Sequence, residues 1–274
     1  MSSFILIIVG FLVFPKMALE NGSQNNNLHY KGVSDNYHKA FFYTGAYEEW
    51  QLDVLLKKMD LKKTDLVADV GGGTGRFASL IHKSVKLENS IVCVDPSADM
   101  LEMSDKMVGV DSVRCNAREF ASRKEEKIYD CILFKEVVHH LSEEDLKIVF
   151  SCLHKKLSDT GKILICTRPQ IVNYPFFKAA HEVWKKNQPS REYYVGLLEA
   201  AGYKISSVTV PHYWASMDMS WWISMVRNRF WSTFSAFSDT ELELGIREII
   251  EQFGEMGNIR FQERLVLIVA VKNI

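Results

Sequence analysis

Val67-Ala68-Asp69-Val70-Gly71-Gly72-Gly73-Thr74-Gly75-Arg76-Phe77 is the stretch on which the reading of this 274-residue chain turns. An apolar run ends in an acidic residue, passes into a glycine-dense turn, and then into what reads as a helix start. Glycine in such a turn permits positive φ and lets a ligand approach the backbone with no Cβ in the way. The helix behind it presents free N–H groups at its N-terminus. About twenty residues further on, a second apolar run, Ile91-Val92-Cys93-Val94, ends in Asp95, placed to accept hydrogen bonds from ribose hydroxyls. Asp95 also reads as a capping residue ahead of Ser97.

Charge decides which nucleotide-like ligand suits this turn. A dinucleotide site has the spacing G-x-G-x-x-G, with a pyrophosphate on the helix N-terminus. Here the glycines fall at Gly71, Gly73 and Gly75, followed by Arg76 and Phe77. Asp69, just ahead of the turn, would repel a pyrophosphate but helps to hold an ammonium group. No Gly-Lys-Ser/Thr follows, which excludes a phosphate-binding Walker loop. A ligand with an amino-acid end, a ribose and no phosphate fits best, and S-adenosylmethionine is such a ligand.

With these residues the chain resembles the class I S-adenosylmethionine-dependent methyltransferases, and within them the small-molecule branch that includes quinone-ring methylases. The resemblance rests on three pieces in order: Asp69 to Gly75, Asp95-Pro96-Ser97, and Asp130 to Leu141 (DCILFKEVVHHL). It covers residues 30 to 170 and extends weakly beyond them. It implies a Rossmann-like doubly wound α/β sheet of seven mostly parallel strands, with the last strand antiparallel. It also implies that Asp69, Gly71 and Gly73 surround the methionine end of the cofactor and that Asp95 holds its ribose. Met100 would touch adenine. Asn116-Ala117 stands where many relatives have an acidic residue facing the adenine amine, and Asn116 keeps an acceptor oxygen. Lys135 follows the fourth strand, where relatives contact the cofactor.

Composition narrows the partners. The formal net charge is −1 and no dense Lys/Arg tract occurs, which argues against a nucleic-acid substrate. None of the five cysteines forms a C-x-x-C pair, so no metal site is expected. Cys93, Cys115, Cys131 and Cys166 fall in predicted strands and Cys152 in a predicted helix. An odd count of core thiols suits a reducing compartment, and a cytoplasmic location is expected. Phe4 to Phe14 is continuously apolar and then meets Pro15 and Lys16. That run is shorter than the ~20 residues a bilayer span needs. A signal-peptide core, a start at Met17 and a weak membrane anchor with the enzyme on the cytosolic side all stay open for it. The sequence carries no signal for an oligomeric state.

Residues 1–29 read as an apolar N-terminus and a flexible tether, and residues 30–274 as one methyltransferase domain. A helical pattern runs from Tyr30 to Met59, with Phe41, Phe42, Tyr43, Tyr47 and Trp50 on an aromatic surface; Tyr37 or Tyr43 is a candidate for lining the cofactor pocket. Strands are expected at Leu66–Val70, Ile91–Val94, Ser112–Cys115, Ile128–Phe134, Lys162–Thr167, Ile205–Val210 and Arg264–Val271, alternating with helices as in a covered parallel sheet. An insertion at about 211–260 is far longer than the usual ~4–6-residue connection. It is expected to form a helical substrate cap, carrying Tyr213, Trp214, Met217, Met219, Trp221, Trp222, Met225, Phe230, Trp231 and Phe234. Ser238 and Glu241 form a capping box ahead of an amphipathic helix with Leu242, Ile246, Ile249, Ile250 and Phe253 on one face. Most of these rings should seal the cap and a few should face substrate.

Methyl transfer to oxygen or nitrogen calls for a proton acceptor near neutrality. His139 and His140, after the fourth strand, are the expected base, with Glu136, His181 and His212 behind them. The expected activity is methylation of O, N or C on a small apolar or cationic metabolite. Two alternatives stand beside it: a non-catalytic methyltransferase-fold binding or regulatory protein, and a methylase of a membrane lipid or quinone.

Overall fold

The computed structural model describes residues 45–124 and 128–273. The apolar run at 4–14, the tether, and Tyr37, Phe41, Phe42 and Tyr43 lie outside those residues. The helix expected from Tyr30 is seen over Gly45–Met59 (α1).

A single seven-stranded sheet organises the described chain, in the order β3-β2-β1-β4-β5-β9-β6. Its strands are β1 (Val67–Val70), β2 (Ile91–Asp95), β3 (Val110–Arg114), β4 (Tyr129–Lys135), β5 (Leu157–Thr167), β6 (Tyr203–Thr209) and β9 (Val266–Lys272). The first five pair in parallel, whereas β9 runs antiparallel to both β5 and β6. β1 is buried at every position, as a central parallel strand covered on both faces must be.

The covering helices divide by face. Leu55 and Met59 of α1 pack with Ala78 and Ile81 of α2 (Arg76–Val85) on one side. Phe120 of α4 (Ala117–Ser122), Leu146, Val149, Phe150 and Leu153 of α5 (Glu143–His154), and Tyr194, Leu197 and Leu198 of α7 (Arg191–Ala200) pack on the other. α3 (Ala98–Ser104) follows β2 and α6 (Lys178–Asn187) precedes α7. Ser142 caps α5 by accepting from the Asp145 N–H, with three acids in the first turn set against the dipole.

Beyond the fifth strand, which begins at Leu157 rather than Lys162, three expectations move. The third strand starts two residues earlier than Ser112, because Ile91 to Asp95 of β2 pair with Val110 to Arg114; Cys115 therefore sits just past the strand, though still buried. Phe253, expected on the buried face of the last helix, is 41% exposed, because the helix stops there at Gly254.

The third change concerns the insertion, which is only partly helical. It contains α8 (Met219–Arg227), a 3-10 turn at Ser232–Ala236, and α9 (Asp239–Phe253), opened by the expected Ser238/Glu241 capping box. It is entered and left by two strands, β7 (His212–Asp218) and β8 (Asn258–Arg264), paired antiparallel. Arg264 thus belongs to the cap ribbon, and Leu265 separates it from β9. Inside the cap, Trp222, Met219, Met225 and Phe234 form a buried cluster with Tyr174, Phe176 and Phe177 from the segment after β5. Most of the predicted rings do seal this body; Trp214 and Trp221 stay 50% and 45% exposed.

Candidate functional site

The carboxyl ends of β1, β2, β4 and β5 converge, as the ends of parallel strands in an open α/β sheet do, and this is where such folds bind ligands. β1 ends on Asp69 and Val70, and the turn that follows adopts positive φ at Gly71 (77°), Gly73 (57°) and Gly75 (67°). At Gly71 the requirement is double: a Cβ there would lie 2.4 Å from Cγ2 of Val137, in the loop after β4. At Gly73 a Cβ would meet nothing within 4 Å, so the turn opens there into free space. The two motifs read separately in the sequence are therefore in contact.

Asp69 is 2% exposed, and its Oδ1 has no hydrogen-bond partner. Burial pushes its carboxyl up to about 7, opposed by the Lys135 ammonium and reinforced by Asp95. A buried carboxylate oxygen left unpaired is costly, and a donor such as an ammonium would satisfy it. Asp95 is better supplied. Its Oδ2 accepts from the Gly73 N–H at 3.1 Å and its Oδ1 from the Ser97 N–H at 2.8 Å. Burial raises its pKa, with these two bonds opposing. The residue thus both braces the glycine turn and sets the start of α3, where Ser97 caps the helix.

The remaining expected contacts are more spread out. Met100 is buried in the first turns of α3. Ala117 is buried at the start of α4, while the exposed Asn116 spends its side-chain oxygen on the Glu119 N–H in a reciprocal capping box. Lys135, half-buried at the end of β4, sets its ammonium 4.0 Å from the ring centre of Phe77. Arg76, which breaks the dinucleotide pattern, donates to Glu48 of α1 at 2.5 and 2.8 Å. It thereby ties α1 to the helix that follows the glycine turn.

Past β4 the chain enters a second, more polar region. Glu136 takes φ 58°, a left-handed conformation that a non-glycine residue keeps only when its surroundings impose it. Its Oε1 accepts from Nε of Arg168 at 2.9 Å. Arg168 follows directly on β5, and its Nη1 donates to the Tyr174 hydroxyl at 3.0 Å and to Oε2 of Glu263 on β8. The Tyr174 hydroxyl also donates to that Oε2, at 2.7 Å. Burial works against the Arg168 charge, but Glu136 and Glu263 hold its pKa well above the ordinary value. Glu263 is fully enclosed and its Oε1 has no partner.

His139 and His140 sit on a 3-10 turn at Val138–His140, with ring centres 4.0 Å apart. Both are half-buried, and Nδ1 of His139 is enclosed without a partner. Burial, helped by the Arg168 charge, lowers the His139 pKa to about 4, so this ring is neutral in neutral solution. His181 packs its ring 5.7 Å from Phe176 within the cap contact, and His212 is exposed at the start of β7.

An aromatic wall completes the region. Tyr47 and Trp50 of α1 meet Tyr213 of β7, with ring centres at 5.2 and 5.5 Å. Arg168 and Glu263 are the residues that sequence reasoning missed. Each carried a signal. Arg168 is a charged residue ending an apolar strand, like Asp69 and Asp95. Glu263 occupies an inward position in the alternation Ile259, Phe261, Glu263. Among the described residues no cluster of His, Cys, Asp or Glu could hold a metal, and no helix is long and apolar enough to cross a membrane.

Residues 67–161 match the family model described as a methyltransferase domain. No curated protein matches the chain. Several solved structures share its fold. An S-adenosylmethionine-dependent methyltransferase from Archaeoglobus fulgidus is 19% identical over 84% of this chain and 95% of its own, with a TM-score of 0.53. Phosphoethanolamine N-methyltransferase 2 of Haemonchus contortus, in complex with phosphomonomethylethanolamine and S-adenosylhomocysteine, is 18% identical over 82% of this chain and 53% of its own, with a TM-score of 0.52. A geranyl diphosphate methyltransferase in complex with GPP and sinefungin is 19% identical over 82% of this chain and 79% of its own, also with a TM-score of 0.52. At such identities the likeness is one of fold.

Proposed function

We propose, from the premise that this chain carries a class I S-adenosylmethionine-dependent methyltransferase domain, that it methylates an oxygen, nitrogen or carbon atom of a small apolar or cationic molecule held beneath the cap. The observation that carries the reading is the buried Asp69 carboxylate, with one oxygen unpartnered, beside a glycine turn that opens into space at Gly73. An ammonium-bearing cofactor fits that pair of features. Asp69, Gly71, Gly73 and Asp95 would hold S-adenosylmethionine, with Met100, Asn116, Ala117 and Lys135 on the adjoining loops. When bound, the cofactor supplies a methyl group already activated on a sulfonium.

The chain's own contribution is placement. Holding two reactants in line is worth about 7–11 kcal/mol. The cap and α1 would exclude water from that alignment. His140 is the proton acceptor in this reading. His139, held neutral by burial and by Arg168, accepts or donates a hydrogen bond without carrying charge. Two of the structural relatives, the phosphoethanolamine and the geranyl diphosphate methyltransferases, are named for small molecules, which supports a small-molecule acceptor here.

The test is to incubate the full chain with methyl-labelled S-adenosylmethionine and an extract of its source cells, then to fractionate the label. Label in the small-molecule pool is expected. Label in lipid would make the acceptor a membrane component. Bound cofactor with no labelled product would favour a binding or regulatory protein.

A further inference from the structure

The network at the tips of β4 and β5 carries more information about the acceptor than its rings do. Three charged groups meet there: the carboxylates of Glu136 and Glu263, and one guanidinium, Arg168, bonded to both. The neighbouring His139 is neutral near pH 7. One negative charge is thus left over in an enclosed region. It has an address, because Oε2 of Glu263 accepts from both Arg168 and Tyr174 while Oε1 of the same carboxylate accepts from nothing. Glu263 is 0% exposed, so bulk water does not reach that oxygen. An unpaired carboxylate oxygen at that depth is a large penalty unless a ligand completes it.

What lies beside that oxygen points the same way. Tyr213 is the direct cross-strand neighbour of Glu263 in the β7–β8 ribbon, so the two side chains share one face. On that face Tyr213 meets Tyr47 and Trp50. Aromatic faces attract cations, the more so when water is excluded.

We propose that the acceptor carries a protonated amine, seated with an N–H on Oε1 of Glu263 and flanked by Tyr47, Trp50 and Tyr213, and that Glu263 is the residue that selects it. Arg168 does not recruit an anionic substrate, because its charge is already matched twice over. It holds Glu263 and Glu136 in place. The inference rests on the proposed methyltransferase reading and deepens it by naming the acceptor's recognised group.

The experiment uses the full chain saturated with S-adenosylhomocysteine, whose own binding isotherm reports on the cofactor site independently. Three probes of one shape and graded charge are then titrated: 2-phenylethylamine, 2-phenylethanol and 3-phenylpropanoate. The amine is expected to bind at least tenfold more tightly than the alcohol, and the carboxylate most weakly. In E263Q the preference for amine over alcohol should shrink to within twofold, with affinity for the alcohol and for S-adenosylhomocysteine unchanged. Y174F, which removes a contact to Glu263 but no charge, should keep the preference. Tightest binding by the carboxylate, equal or undetectable binding of all three, or a preference that survives E263Q would each overturn the proposal. Should E263Q fail to fold, the order of the three probes on the unmodified chain decides it. Failure of S-adenosylhomocysteine to bind would instead overturn the methyltransferase reading itself.

Discussion

The two halves of the proposed site, one assigned to the cofactor and one to the acceptor, are built on opposite plans. The cofactor half is made by backbone. Its glycine turn, the Gly73 N–H on Asp95 and the Ser97 cap all lie within one β-α-β unit. The acceptor half is made by side chains brought together from far apart, with Arg168 bonded to Glu136 and, across 95 positions of sequence, to Glu263. A backbone site tolerates varied side chains around it but not an altered turn. A side-chain site tolerates a varied backbone but not the loss of one member of its charge balance. Perturbing each half should therefore fail in a different way.

The largest effect is expected in the acceptor half. Arg168→Met would leave the buried Glu263 and the half-buried Glu136 with no cation, a situation that costs about 3–5 kcal/mol. Urea unfolding should report that loss, while affinity for S-adenosylhomocysteine in the folded fraction changes little. Adding E263Q should restore part of the stability, since the two residues share one interaction. If R168M instead weakened cofactor binding as strongly as it weakened the fold, the two halves would not be separable.

Next in size is a pair of changes within the glycine turn. Gly71→Ala meets both a positive φ and the side chain of Val137, and should cost roughly 2–3 kcal/mol of folding stability. Gly73→Ala meets positive φ but no neighbour, so about 1 kcal/mol is expected. Its methyl group would project into the space assigned to the ligand. Cofactor affinity should therefore fall further for Gly73→Ala than its stability does, and calorimetry beside thermal unfolding tests the contrast.

The smallest effect is the most diagnostic. The folded state raises the Asp69 pKa to about 7, from an unfolded value near ~3.9. The native state therefore holds this proton more tightly than the unfolded chain does. The stability this provides is complete below the unfolded pKa and is lost as pH rises through 7. Asp69→Asn removes that dependence. The variant should be more stable than the parent at pH 8, with the gap closing toward pH 4. Its affinity for S-adenosylhomocysteine should fall about tenfold, the loss of one charge-assisted bond. A variant destabilised at pH 8 would show that Asp69 has a structural partner after all.

The same contrast explains what the sequence disclosed. Asp69, Gly71, Gly73 and Asp95 could be found because local spacing alone places them at strand ends. The sheet was legible for the same reason: β1, β2 and β4 are largely apolar runs, each followed by a helix. Glu136 and the histidine pair were found as neighbours of the fourth strand, but not their partner, since no local rule links residue 136 to 168 or 263. The cap ribbon was missed because Trp214 interrupts the alternation of β7 and Glu263 puts a charge on the inward face of β8. Trp214 points outward, against Arg260 at 4.8 Å, while Ala215 and Met217 are buried, and that blurs the alternation on which a strand is recognised. Asn116 shows the converse. Its oxygen was read as a ligand contact, and the fold also employs that oxygen as a helix cap.

β6 and β9 pair as far as Thr209 and Leu267, and the same two chain segments pair again from His212 and Arg264. Only the short joint at Pro211 and Leu265, bridged by one backbone bond of 3.1 Å, lies between. Entrance and exit of the whole insertion are thus adjacent strands, about 4.8 Å apart. A segment anchored that way can be lengthened, shortened or exchanged without displacing a single register position in the sheet. A graft at this one two-stranded stem would exchange the insertion while leaving the glycine turn and its sheet in place.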